Sequence, residues 1–442
     1  MVFAAKGVVH LRQYQKGTSF WGEDTTSKGN RDYFWDTFSK RRRKPSPLTP
    51  PCLERTHSPL CERPVTAGQT GCILVNKREN RPSSPQRIER PRGGITRKGM
   101  CSMGQEVKVV SVLVNTEMAS SHEDRFHVVT PLKKSPILSN VTGTEVLLKL
   151  ENIQPMGSFK IRGIGHYCQT LSKKGYTRFV CSSGGNAGLA AAYACNKLGL
   201  AATIVVPEST GQDIVQKLKG LGADVVVKGK VWDDADALAH QLAEAPGSVY
   251  VSPFNNPVIW EGNSTLIREL KDSLGLRKPS ALVLAVGGGG LLAGLVSGMT
   301  DVGWLDVPII AMETNGAHCL NAALQAGEIV TLPDITSIAK CLGAKTVCER
   351  AFQCARETDL ISITVDDREV IEAIEKFLDD ELMLVEPACG AALAAVYSGH
   401  IERLKLEGRL KNPHGPVVLI VCGGSAISLS QLLDFKSQFG LN

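Results

Sequence analysis

The stretch ALVLAVGGGGLLAGLVSG, residues 281 to 298, decides the fold. Six apolar residues run without alternation into four glycines, and a helical pattern follows at once. An unbroken Val, Leu and Ala run describes a strand buried on both faces, as in a parallel sheet. Two other runs end the same way, TRFVCSSGGNAG at 177–188 and PVVLIVCGGS at 416–425. Further strands are expected at TEVLLKL (144–150), ATIVVP (202–207), DVVVKG (224–229), SVYVSPF (248–254) and VPIIAMET (307–314). Helical patterns lie between them, such as NAGLAAAYACNKLG with its glycine stop, so the reading is a wound α/β fold. In such sheets ligands settle beyond the carboxyl ends of the strands, where helix N-termini present amide donors. Three small-residue clusters placed alike at strand ends point to one shared pocket.

The 442 residues do not form one uniform chain. Residues 1–100 hold 20 Lys and Arg against 8 Asp and Glu, which is +12, while the remainder holds 30 against 36, which is −6. The basic balance belongs to the N-terminal segment alone. That segment contains RRRK at 41–44 and nine prolines without sustained periodicity, a mixture that argues for a disordered tail over residues 1–117. A short basic run of this kind is common in solvated tails, so nucleic-acid binding is not the expectation. No secretory signal and no membrane-length apolar run is present. Thirteen cysteines at irregular spacing, without a CxxC pair, indicate free thiols in a reducing compartment, with the cytoplasm as the default.

Lys160 stands out within QPMGSFKIRG, residues 154–163. Pro155 and Gly157 form a turn and Ser158 offers an oxygen to cap a helix, which places Lys160 in the first turn. The helix macrodipole disfavours a cation there, and a lysine that is neutral or covalently engaged escapes that penalty. The GGGG of 287–290 offers unobstructed amides to a phosphate, yet no Gly-Lys-Ser/Thr follows and GxGxxG is not matched. A phosphate site without nucleotide machinery, together with a helix-start lysine, suggests pyridoxal phosphate held through its aldehyde.

GSFKIRG, SSGGNAGLAAAYA, AVGGGGLLAG, VEPACGAALAA and VCGGS, in this order, resemble the pyridoxal-phosphate enzymes of the tryptophan synthase β-like fold. The likeness is greatest to the serine dehydratase and serine dehydratase-like enzymes of animals, and it covers residues 120–440. It implies a catalytic domain over 118–442 built of two wound parallel-sheet subdomains, the smaller, 155–255, inserted in the larger. It also implies a homodimer acting on a small amino acid, with no membrane and no nucleic-acid partner. By the same resemblance Lys160 carries the cofactor and moves the substrate's α-proton, Phe159 lies beside the ring, and Asn186 bonds the ring hydroxyl. Gly287, Gly288, Gly289 and Gly290 form the phosphate cup, and Cys422 faces the pyridine nitrogen.

Ser182, Ser183, Gly184, Asn186 and Ala187 are expected around the substrate, with Ser183 also in a catalytic role. Glu313, Ala317 and Cys319 resemble a loop that holds a monovalent cation such as K+, with carbonyls from Leu342 and Ala344, although Cys319 stands where a serine is usual. Glu386 is either part of the site or a structural carboxylate. The implied reaction is α,β-elimination on L-serine and L-threonine, giving a 2-oxo acid and ammonia. The alternatives are a serine racemase, a β-replacement enzyme, or a weakly active scaffold whose tail binds nucleic acid. Racemases of this type have serine at the place of Gly184, whose lack of a side chain disfavours that reading.

Overall fold

The computed structural model describes residues 125–230 and 232–441. The tail expected over residues 1–117, including RRRK, lies outside them. Ten strands are described: β1 (Leu132–Ser135), β2 (Val146–Leu150), β3 (Arg178–Cys181), β4 (Ala201–Val206), β5 (Asp224–Val227), β6 (Ser248–Tyr250), β7 (Ala281–Ala285), β8 (Ile309–Thr314), β9 (Leu360–Val365) and β10 (Val417–Val421). They form a six-stranded sheet in the order β1-β2-β10-β7-β8-β9 and a four-stranded sheet in the order β5-β4-β3-β6. All pairings are parallel except β1 with β2. This is the expected α/β architecture of two wound sheets.

All eight expected strands are present, and the two not foreseen, β1 and β9, are the edges of the larger sheet. The reason is physical. Central strands are covered on both faces, and all five residues of β2, β7 and β10 are buried. An edge strand carries polar residues: β1 reads LKKS and β9 alternates half-buried and buried positions in LISITV.

The glycines beyond β7 also serve packing. In the helix Gly290–Val302, a Cβ at Gly294 would lie 2.4 Å from Asn263 Cβ, and one at Gly298 would lie 2.8 Å from Ile267 Cβ. This four-residue spacing lets the helix Pro257–Leu274 approach closely, and Asn263 donates to the Gly290 carbonyl at 3.0 Å. The start of the glycine-born helix is thereby fixed against the helix Pro257–Leu274.

One feature had no forewarning in the sequence. Lys149, Glu151, Arg162 and Glu269 form a buried charge cluster that joins β2 to the helices Lys160–Lys173 and Pro257–Leu274. Arg162 donates to both carboxylates, at 2.6 and 2.8 Å to Glu151 and at 2.6 and 2.8 Å to Glu269. Lys149 donates to Glu269 at 2.5 Å and to the Thr130 carbonyl at 2.8 Å. Two positive and two negative groups balance, which is what burial of charge requires. Among the described residues, no helix is long and apolar enough to cross a membrane.

Candidate active site

Lys160 opens the helix Lys160–Lys173, as its context suggested. Ser158 does not cap that helix, however. Its hydroxyl is buried without a hydrogen-bond partner, and Phe159 is the N-cap residue, with no side-chain cap. The turn is fixed through its backbone instead, because Phe159 N–H donates to the Cys422 carbonyl at 3.1 Å and Gly424 N–H to the Gly157 carbonyl at 3.0 Å. These bonds bring the lysine turn against the end of β10. The Lys160 ammonium donates to the Pro253 carbonyl at 2.7 Å and lies 5.4 Å from the Phe159 ring centroid. Burial pushes its pKa below the ordinary lysine value, so the uncharged amine becomes more accessible.

The glycine run forms the next wall. A Cβ at Gly287 would sit 2.9 Å from Leu342 Cα, one at Gly288 2.5 Å from the Phe254 ring, and one at Gly290 2.7 Å from the Phe254 carbonyl. Gly289 has φ +90° and would place a Cβ 2.3 Å from Ala351. Only glycine fits this cup. The amides of Gly287, Gly288 and Gly289 donate to no backbone carbonyl among the described residues. They are therefore available to an anion at the start of a helix.

The loop beyond β3 is held at both ends. Asn186 is buried and donates to Glu386 Oε1 at 2.6 Å, while Ser425 donates to Asn186 Oδ1. Glu386 also accepts from the Ala426 amide at 3.3 Å. Burial pushes its carboxyl above the usual range. At the other end Ser182 directs its hydroxyl to Asp236 and Tyr250. Between these ends Ser183 is half-buried and accepts from the Gly185 amide at 3.2 Å, and Ala187 is buried at the start of the helix Asn186–Leu198. Glu386 thus stands beside Asn186, and Ser425, the last residue of VCGGS, completes the contact. Cys341, whose sulfur lies 3.8 Å from the Asn186 amide nitrogen, had no signal in the sequence.

Cys422 is buried against the thiol of Cys389. That contact and burial together raise its pKa well above the ordinary thiol value, so the sulfur stays protonated. Glu313, the penultimate residue of β8, accepts from the amides of Leu320 at 2.9 Å and Asn321 at 2.7 Å, and burial pushes its carboxyl up to about 7. Cys319 donates to the Gly287 carbonyl at 3.4 Å, and burial pushes its thiol up to about 12. Ala317 is buried beside this loop, while Leu342 backs the cup and its carbonyl accepts from the Ala344 amide at 2.8 Å.

A family profile described as pyridoxal-phosphate dependent enzyme matches residues 124–423. The chain belongs to this family. Pyridoxal phosphate is accordingly its cofactor. Within the family the chain is 60% identical over 313 residues to a serine dehydratase-like protein of Rattus norvegicus, covering 71% of this chain and 95% of the relative. It is 55% identical over 316 residues to the Homo sapiens L-serine dehydratase/L-threonine deaminase, covering 71% and 96%. Among solved structures, an L-serine ammonia-lyase of Rhizomucor miehei superposes with a TM-score of 0.68 at 37% identity, covering 71% of this chain and 99% of that one. The residues present fit the cofactor. The uncommitted amides of the glycine cup suit a phosphate dianion, and the buried Lys160 amine suits an aldehyde.

Proposed function

We propose that this chain is a pyridoxal-phosphate-dependent ammonia-lyase that performs α,β-elimination on L-serine and L-threonine, releasing pyruvate or 2-oxobutyrate with ammonia. One observation carries the reading: Lys160, with its pKa lowered by burial, is stitched beside Cys422, while a glycine cup made for an anion ends a neighbouring strand of the same sheet. The names of the relatives support the substrate class. The test is the appearance of 2-oxo acid and ammonia in equal amounts from either amino acid.

In this reading Lys160 would hold the cofactor through its aldehyde, Phe159 would pack beside the ring, and the cup amides of Gly287–Gly290 would hold the phosphate. When bound, the cofactor accepts the electron pair left at the substrate's Cα. The Lys160 amine would take the α-proton and pass it to the departing β-hydroxyl, which leaves as water, and the protein's low dielectric favours the uncharged amine that this requires. Asn186, oriented by Glu386 and Ser425, directs its amide toward the ring hydroxyl. The protonated Cys422 would be a weak hydrogen-bond partner for the ring nitrogen. The amides of 183–185 and the Ser183 hydroxyl receive the substrate carboxylate, with Ala187 beside it. The Glu313 loop, with Ala317, Cys319, Leu342 and Ala344, is the place for a monovalent cation such as K+. A homodimer in the cytoplasm completes the reading, supported by the exposed Leu382, Leu429 and Leu433 and by eight buried free thiols among the described residues.

Gly184 separates elimination from racemization, because it offers no hydroxyl to protonate the second face of Cα. Its φ lies outside the left-handed region, so alanine is allowed by the backbone, but the new Cβ would lie 3.0 Å from Thr210 Cγ2 and 3.1 Å from Val206 Cγ1. Alanine would spare roughly 0.5–1 kcal/mol of backbone ordering when the loop closes on substrate. We expect Gly184→Ala alone to leave KM for serine near the wild-type value, since crowding offsets that gain. Adding Thr210→Ser, which removes the obstructing methyl, is expected to lower KM by a factor of about 2–4, as a difference below 1 kcal/mol gives. Steady-state kinetics on both variants checks this, and an unchanged KM in the double variant would rule out loop ordering as a limit.

The tail is proposed to be dispensable. Some 71% of this chain suffices to cover 95–96% of the relatives' length, and the matched family region begins at residue 124. A chain starting at Met118 is expected to fold and to turn over serine like the full chain. A large loss of soluble protein or of kcat would assign residues 1–117 to the folded unit.

A further inference from the structure

Three elements of the smaller sheet converge on one carboxylate beneath the substrate loop. Ser182, fully buried, donates its hydroxyl to Asp236 Oδ1 at 2.6 Å, and Tyr250, the last residue of β6, donates to the same oxygen at 2.7 Å. The two hydroxyl oxygens lie 3.1 Å apart. Asp236 stands on the helix Trp232–Ala243, and His240, one turn on, has Nε2 3.6 Å from Asp236 Oδ2. The His240 ring stacks on Tyr250 at 3.9 Å between centroids with an interplanar angle of 19°, closing the group toward solvent. Burial raises the Tyr250 phenol above its ordinary pKa, so it remains a donor.

Each hydroxyl has a single proton, and both are committed to Asp236. Ser182 therefore has no proton left for a substrate carboxylate. What the contact does is fix the residue at which the loop leaves β3, while the Glu386 and Ser425 contacts to Asn186 fix the residue at which the loop enters its helix. Between the two anchors lie Ser183, Gly184 and Gly185, and glycines lose the most backbone freedom on ordering. Anchoring both ends before substrate arrives removes part of that cost from binding.

We propose that Asp236 is a positioning residue of this enzyme, acting through Ser182 to hold the 183–185 backbone in the form that receives the substrate carboxylate. The proposal rests on the reading that this loop takes that carboxylate. It assigns Asp236 to substrate affinity, with no part in the α-proton transfer or in cofactor binding.

The test is a double-mutant cycle of Asp236→Ala and Ser182→Ala in the cofactor-loaded protein. Kinetics on L-serine are measured together with the dissociation constant of glycine, a ligand without a β-hydroxyl, from the change in cofactor absorbance. Each single variant is expected to raise both KM and the glycine dissociation constant about tenfold, the size of one lost charge-assisted hydrogen bond. We expect kcat and cofactor affinity to stay within about threefold, and the double variant to be no worse than either single one. Unchanged glycine binding, a fall confined to kcat, or effects that multiply in the double variant would overturn the proposal. Should Asp236→Ala not fold, Tyr250→Phe takes its place in the cycle, with a smaller rise expected that vanishes on the Ser182→Ala background. A rise that persists there would be equally damaging. A wild-type protein that makes no 2-oxo acid would count against the proposed function, whereas an active wild type with indifferent variants would count against Asp236 alone.

Discussion

Replacing Lys160 by alanine is expected to lower 2-oxo acid formation by about 10³-fold or more, within the range for loss of a group that transfers a proton in the rate-determining step. Lys160 forms no ion pair among the described residues; its ammonium is held by the Pro253 carbonyl and the Phe159 ring, with the buried Glu386 carboxyl acting on it at longer range. Glu386 keeps its hydrogen bonds from Asn186 and the Ala426 amide when Lys160 is removed, and the far-ultraviolet circular dichroism and thermal midpoint are expected to stay close to wild type. The visible absorbance of the linked cofactor should be lost. Borohydride reduction of the wild type, followed by peptide mapping, should place the adduct on the peptide that contains Lys160. An adduct on a peptide containing Lys173 or Lys197 would contradict the assignment.

The second large effect concerns stability. In Arg162→Met, Glu151 and Glu269 would remain buried with Lys149 as their only near cation among the described residues, leaving one negative charge in excess. Breaking a buried ion pair from one side typically costs about 3–5 kcal/mol. Arg162 serves both carboxylates through its fork, a geometry that a lysine ammonium cannot reproduce. We expect the urea midpoint of Arg162→Met to fall well below wild type, and Arg162→Lys to recover only a small part of it. Because Arg162 lies two residues beyond Lys160 on the same helix, the surviving folded protein should also hold the cofactor less tightly. A midpoint within the error of wild type would show that the cluster contributes little.

The sequence was most legible where the chain is buried on both faces. Val, Leu and Ile runs in β2, β7 and β10 are the direct imprint of a covered parallel sheet; two of the three small-residue clusters mark its carboxyl ends, and the third marks the end of β3 in the smaller sheet. Edge strands carry no such imprint, so LKKS and the alternating LISITV passed unnoticed. Ser158 was read as a helix cap from residue type alone, but the backbone bridge to Gly423 holds the turn and leaves the hydroxyl unpaired. Interactions between residues far apart in the chain were invisible for a related reason. Nothing in WDDADALAH singles out Asp236, and nothing in VLLKL reveals that Lys149 meets Glu269, 120 residues away. Glu386 and Asn186 are 200 residues apart, and only folding shows that the carboxyl orients the amide.

The proposed chemistry is one reaction at one lysine. Its most direct test is to supply the cofactor-loaded wild-type chain with L-serine and with L-threonine, and to measure 2-oxo acid, ammonia and the D-enantiomer of the substrate together. Pyruvate and 2-oxobutyrate are expected, each matched by an equal amount of ammonia, with D-serine a minor product at most. D-serine as the main product without ammonia, or a loaded protein that turns over neither amino acid, would contradict it.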